Sequence, residues 1–268
     1  MPEILKGLEV SEYRHKDDEK ALRAVEKVLV AKKLGEWLEE IERKYSDRIE
    51  FLGTNVKLTE KSAPRIIRLL EEAKQVLDYS GDIEVFSWRS YAMRVEVVGV
   101  EKAMIKLSDN IIRNFSDEMI LFLFGQAITM VKGGMLKLFQ LSNVLSNASG
   151  LIPVAGRALM HPVGQFRRKA QLTIDRGGLL ACQDYETVMK HFCLLSGVPF
   201  RMLDEVDIQA RMEQISNSLT NEKSFGESVG KLNSTLFNER RAWNNERFIE
   251  TFNWYNSGEY GRIIQAHI

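Results

Sequence analysis

The sequence has few cysteines and no net charge. Only two of its 268 residues are cysteines, Cys182 and Cys193, and their spacing matches neither a redox pair nor a zinc-binding motif. We interpret both as small buried hydrophobic residues of a protein from a reducing compartment. Lys plus Arg and Asp plus Glu each number 37, so the formal net charge is zero. Without a net charge or a recognised motif, nucleic acid is not an expected partner.

Long hydrophobic runs are also absent. The most apolar window, residues 119–131, is interrupted by Gln126 and Thr129 and is followed by Lys132. A helix of that length, rising about 1.5 Å per residue, is too short for a hydrocarbon core about 30 Å thick. The first residues, Met1–Lys20, are polar and lack the apolar core of a signal peptide. We therefore expect a cytoplasmic protein with no membrane span.

The patterns that are present predict a mostly helical protein. Apolar residues at spacings of three and four predict helices over 17–45, 64–77, 116–131, 135–147, 165–195, 203–219 and 236–255. Alternating or β-branched runs predict short strands at 82–87, 94–98 and 103–107, and residues 51–58 also look extended. The stretch 147–164, which contains proline and glycine, is predicted to be a loop. The expected fold class is α+β, with a small antiparallel or mixed β-sheet.

The helix predicted at 116–131 has an unusual composition. Ser116 is a suitable N-cap, and the pair Gly133-Gly134 is a stop signal. The helix is apolar nearly all round, which is typical of a buried helix, yet Gly125, Gln126 and Thr129 lie in it. The plainest interpretation is that another helix packs closely over Gly125, with Gln126 and Thr129 hydrogen-bonded in the core.

Several segments point to a known family. The most specific is 171–181, which reads QLTIDRGGLLA; upstream, FLGTNV at 51–56 precedes Pro64 and a helix, and MIKLS at 104–108 precedes the acidic helix start at 116–119. Together they resemble the gluzincin-type zinc metallopeptidases that include the heat-shock protease HtpX and the prenyl-protein endoprotease, in a form without membrane spans. The resemblance implies a gluzincin-like metallopeptidase domain at 49–262, preceded by an N-terminal helical segment at 1–48.

The chain departs from this family at the zinc site. The family carries H-E-x-x-H on one helix, where two histidines bind zinc and the glutamate is the general base. The residues aligned with this motif here are Gly125, Gln126, Ala127, Ile128 and Thr129. The third ligand, a glutamate, aligns with Gln171, and only the acid at Asp175 is retained. The resemblance therefore implies a vestigial cleft at Gly125, Thr129, Gln171 and Asp175, a vestigial base position at Gln126, and no metal ligands.

These departures lead to a functional expectation. We expect a catalytically inactive metallopeptidase homologue, without zinc or another cofactor, that acts as a protein- or peptide-binding or regulatory module. Asp175, having no histidine to orient, is expected to pair with Arg176 or Arg247. The alternative is an active zinc endopeptidase with relocated ligands, such as His161 with Asp175 or Glu118. A third possibility is a subunit of a complex in which the cleft has no role.

Overall fold

The computed structural model describes residues 1–32, 55–99, 102–147, 154–217 and 236–268. These residues form two compact units, Met1–Gln183 together with Ile263–Ile268, and Asp184–Arg262. The elements of the first unit are α1 (Val10–Tyr13), α2 (Lys16–Lys32), β1 (Val56–Lys57), α3 (Pro64–Val76), β2 (Ile83–Trp88), β3 (Val95–Val98), β4 (Ala103–Ser108), α4 (Asp109–Asn114), α5 (Asp117–Lys132), α6 (Leu136–Asn147) and α7 (Val154–Cys182). In these described ranges, no helix has both the length and the apolar character needed to cross a membrane.

The sheet is small and mixed, which agrees with the expected α+β class. Its order is β1-β2-β4-β3. Strands β2 and β4 are parallel, with Ile83 opposite Ala103 and Trp88 opposite Ser108, whereas β3 is antiparallel to β4 and β1 is antiparallel to β2. The three strands predicted from alternation are confirmed. Of the extended segment predicted at 51–58, residues 51–54 lie outside the described residues and β1 covers two of the others.

Helix α5 is the core of the first unit, as its composition predicted. The Ser116 hydroxyl accepts a hydrogen bond from the Met119 N–H at 3.2 Å, and the helix ends at Gly133, followed by Gly134 with φ +67°. Residues around nearly the whole circumference are buried, among them Ile120, Phe122 and Phe124, each 0% exposed. It packs against α3 and α7, so one apolar helix is enclosed by neighbours.

The predicted loop at 147–164 is wrong at residue 147 and at 154–164, which are helical, and residues 148–153 lie outside the described residues. Helix α7 begins at Val154 and continues through Pro162. Proline in a helix interior removes one backbone hydrogen bond and costs about 3 kcal/mol. Immediately after it, Val163 and Phe166 are almost completely buried, at 0% and 1% exposed. Burial of two large apolar side chains offsets such a cost. This burial cannot be inferred from the presence of a proline in the sequence.

The helix predicted at 165–195 is in fact two helices. Helix α7 ends at Cys182, Gln183 adopts a left-handed conformation with φ +51°, and α8 (Tyr185–Leu195) begins after Asp184. The Asp184 carboxylate accepts a hydrogen bond from the Thr187 N–H at 3.0 Å, which caps the second helix. The apolar periodicity resumes after the break, so it does not reveal the interruption. Cys182 and Cys193 are both free and buried, as expected.

The second unit is helical in the described residues. It contains α8, a short 3₁₀ helix (Phe200–Glu205), α9 (208–217) and α10 (Leu236–Asn256), and α11 (Glu259–His267) begins in it. The helix predicted at 203–219 is therefore interrupted at 206–207, and its last two residues lie outside the described residues. Within the unit, the Arg247 guanidinium lies over the Phe192 ring at 5.1 Å from its centroid, and Asn244 donates to the Leu195 carbonyl at 2.9 Å.

The N-terminal residues belong to the core of the first unit. Leu5, Leu8 and Tyr13 are each at most 1% exposed, and the Leu5 N–H donates to the Val76 carbonyl at 3.0 Å. Of the helix predicted at 17–45, α2 covers residues 16–32, and 33–45 lie outside the described residues. The N-terminal segment thus contributes apolar side chains to the core.

Asp18 on α2 is a buried carboxyl group with incomplete hydrogen bonding. Its side chain is 0% exposed; the Thr173 hydroxyl donates to Oδ2 at 2.8 Å, and Oδ1 has no hydrogen-bond partner in the described part of the chain. Burial raises the pKa of this carboxyl, whereas the Thr173 bond and the Arg14 guanidinium, 3.8 Å away, oppose the shift. Ionisation of Asp18 therefore disfavours the folded state.

Asp18→Asn tests this burial. Because the pKa is higher in the folded state than its ordinary value of 3.8, the stability that Asp18 contributes is fully present below that pH and is lost as pH rises through the folded-state pKa. In urea titrations at a series of pH values, the free energy of unfolding of the wild type minus that of the variant should decrease over this interval. A difference that is constant or grows with pH contradicts the raised pKa.

Candidate functional site

Helices α5 and α7 approach each other closely because glycines line their contact. A Cβ at Gly125 would overlap the Ala181 methyl group and lie 2.9 Å from the Gly177 carbonyl oxygen. A Cβ at Gly177 would overlap the Thr129 side chain, and one at Gly178 would lie 2.6 Å from the Phe122 ring. The expected close packing over Gly125 is therefore present, and α7 supplies the partner surface.

A polar cluster joins the two helices beside this contact. The Gln126 amide donates from Nε2 to Asp175 Oδ1 at 2.7 Å, and the Gln171 amide donates to the same oxygen at 3.0 Å. Asp175 is completely buried, and both glutamines are half-buried. Asp175 Oδ1 accepts both hydrogen bonds, so each glutamine presents its NH₂ group to Asp175. The two amide groups are thus neighbours with fixed orientation.

The predicted cleft residues do not all meet at this cluster. Gln171 and Asp175 are joined, but their partner from α5 is Gln126, the predicted base position. Gly125 and Thr129 instead face the glycines of α7. The Thr129 hydroxyl is 3.2 Å from the Tyr13 hydroxyl, and both side chains are at most 1% exposed. The N-terminal segment therefore covers Thr129, a contact that separations in the sequence do not reveal.

A second polar group lies where the N-terminal segment crosses α7. The Thr173 hydroxyl accepts from the His15 N–H at 3.0 Å and donates to Asp18. Arg176 donates from a guanidinium nitrogen to the Tyr13 carbonyl at 3.3 Å. Burial raises the pKa of the Tyr13 hydroxyl, so this group stays neutral. The expected ion pair of Asp175 with Arg176 or Arg247 remains a prediction.

The residues at this site do not fit a zinc ion. Gln126 and Gln171 offer neutral amides, and Thr129 a hydroxyl held by Tyr13; zinc sites in proteins use imidazole, thiolate and carboxylate. In the described ranges, no group of three or more His, Cys, Asp or Glu side chains is placed to hold a metal ion. Of the two relocated pairs, His161 and Asp175 lie on the same helix and are separated by roughly 21 Å of helix length; the pair of His161 with Glu118 remains a prediction.

Comparison of the chain with protein-family models, curated proteins and solved structures finds no significant match.

Gly177→Ala tests the close approach of α5 and α7. The added methyl group overlaps Thr129, and overpacking of this kind destabilises a core by about 1–3 kcal/mol. We expect a lower free energy of unfolding in urea titration, and partial recovery when Thr129→Ala is added.

Gly164→Ala is the matched control on the same helix. A Cβ at Gly164 meets nothing within 4 Å, so the better helix propensity of alanine should stabilise the protein by up to about 1 kcal/mol. Equal effects of the two alanines would contradict the close contact at Gly177.

Proposed function

We propose that this protein is a catalytically inactive, metal-free homologue of the gluzincin peptidases that serves as a protein- or peptide-binding module. The observation that carries this proposal is the hydrogen bonding of Gln126 and Gln171 to the buried Asp175. The polar groups at these positions satisfy one another instead of presenting charged ligands to a cation. The scaffold and the retained acid therefore have a structural explanation that needs no metal.

The same bonds suggest how the chain corresponds to the family motif. A metal-binding histidine usually donates its second ring N–H to a carboxylate. Gln126 donates an N–H to Asp175 in the same manner and lies beside Gln171. This geometry supports a correspondence one residue later than the sequence alignment, with Gln126 and Met130 at the two histidine positions and Ala127 at the base. Residues 126 and 130 are four apart and share a helix face.

This correspondence strengthens the argument against catalysis. Ala127 has no ionisable group, and it is 1% exposed, so it cannot act as a general base. Met130 offers only a thioether, which suits softer ions than zinc. Under either correspondence, the two histidines, the base and the third ligand are all replaced. Hydrolysis by a metal-bound water would therefore lack both its metal and its proton acceptor.

Two features support a binding role. Within the described residues, the side chains of Gln126 and Gln171 make no further hydrogen bond, so each Oε1 is left as an acceptor in a half-buried position. In addition, β3 is an edge strand. The Ser108 N–H donates to the Arg94 carbonyl opposite it, so the alternate residues Val95 and Val97 direct their backbone groups away from β4. Such an edge suits the addition of an extended peptide.

Zinc binding tests the proposed correspondence. We expect the purified wild type to retain no stoichiometric zinc after gel filtration and to show no peptide hydrolysis when zinc is added. The triple variant Gln126→His, Met130→His, Gln171→Glu should bind stoichiometric zinc, because it restores three ligands around Asp175. Zinc analysis and a metal-dependent rise in Tm would detect this.

A second triple variant provides the control. Gly125→His, Thr129→His, Gln171→Glu follows the sequence alignment, but a side chain at Gly125 overlaps Ala181. We expect this variant to be less stable and to bind no zinc. If the Gln126→His, Met130→His, Gln171→Glu variant folds but binds no zinc, the proposed correspondence is wrong. Stoichiometric zinc with hydrolysis in the wild type would overturn the proposed function.

A further inference from the structure

The loop between β2 and β3 presents an unusual set of exposed side chains. Residues 89–94, here called the Tyr91 loop, read RSYAMR. Tyr91 is 95% exposed, and Arg89 and Arg94 are also exposed. In the described part of the chain, none of these three side chains makes an ion pair, hydrogen bond or ring contact. A large aromatic ring and two guanidinium groups are therefore available at one loop.

The backbone of the Tyr91 loop is nevertheless held in place. The Ser90 N–H donates to Asp109 Oδ1 at 3.1 Å, and the Asn110 amide donates to the Ser90 and Tyr91 carbonyls at 3.0 and 3.1 Å. The Arg94 N–H donates to the Ser108 hydroxyl at 3.2 Å. Because α4 and β4 fix the loop before any partner arrives, binding would cost little conformational entropy.

The charge of this surface is positive. Neighbouring acids are already engaged: Asp109 pairs with Arg113, and Glu96 pairs with Lys106 at 3.1 Å. Arg89 and Arg94 keep their donors, and guanidinium groups bind carboxylates with two parallel hydrogen bonds. Tyrosine and arginine are also among the residues enriched at interface hot spots. The side chains thus suit an acidic protein segment that packs against the tyrosine ring.

We propose that the Tyr91 loop is a docking surface for an acidic peptide segment of a partner protein. This inference rests on the binding role proposed above and specifies its partner. A segment whose carboxylates meet Arg89 and Arg94 can continue in extended form along the outer edge of β3, which starts at Val95 and, in the described residues, pairs with β4 alone. Electrostatic attraction makes such an interaction dependent on salt.

The test uses fluorescence anisotropy with labelled peptides. The probe is a short peptide of alternating glutamate and valine, and its counterpart has lysine in place of glutamate. The wild type should bind the acidic peptide, more weakly at high salt, and should not bind the basic one. Tyr91→Ala and the double variant Arg89→Glu, Arg94→Glu should each weaken binding by about tenfold or more.

A matched control separates docking at this loop from general charge attraction. Arg201 and Arg262 are exposed and lie in the second unit, so Arg201→Glu, Arg262→Glu changes the net charge equally and should leave the affinity unchanged. The proposal is overturned if the control variant loses as much affinity as the loop variants, or if the wild type binds both peptides equally or binds neither. It is also overturned if the wild type binds oligo-deoxythymidine more tightly than the acidic peptide. Circular dichroism verifies that each variant is folded. None of these outcomes affects the zinc experiment, so the two proposals fail separately.

Discussion

The close contact between α5 and α7 is the constraint on which the first unit depends. At Gly125, Gly177 and Gly178 the two helices leave no room for a Cβ. Helices at such short separation make many van der Waals contacts, and protein interiors are dense enough that a single added methyl group is felt. The contact also fixes where the flanking side chains lie. Gln126, Gln171 and Asp175 meet because the glycines bring their backbones together.

Polar groups inside this contact are satisfied mainly by one another. Asp175 receives two amides, and Thr129 is within hydrogen-bond distance of Tyr13. A buried carboxylate without partners costs several kcal/mol, so such networks are stable only when nearly complete. The amides of Gln126 and Gln171 pair with Asp175 without a cation. Asp18 is the exception, since one of its oxygens has no partner in the described residues.

Much of the architecture follows from local patterns. The strands β2–β4 and both ends of α5 were predictable because alternation, an N-cap serine and a glycine pair act within a few residues. The helix through Pro162 was not predictable, because packing against distant parts of the chain stabilises it. The break at Gln183 was not predictable either, because it depends on the left-handed conformation of that residue. At the site, the sequence indicated Gln126, Gln171 and Asp175, but not that Gln126 would be the residue bonded to Asp175. A one-residue shift along a helix rotates a side chain by about 100°, and only the neighbouring helix shows which residue faces the site.

By itself, the sequence determined that residues 125–130 of α5 include no histidine or carboxylate, and it determined the apolar character that buries this helix. Those properties depend on residue type alone. Tertiary structure decided which polar atoms meet, that the N-terminal segment covers Thr129, and that the Tyr91 loop is held by Asp109 and Asn110. The reason is physical: hydrogen bonds act over about 3 Å, and the partners here are up to 163 positions apart in the chain, so their distances exist only once the helices have packed.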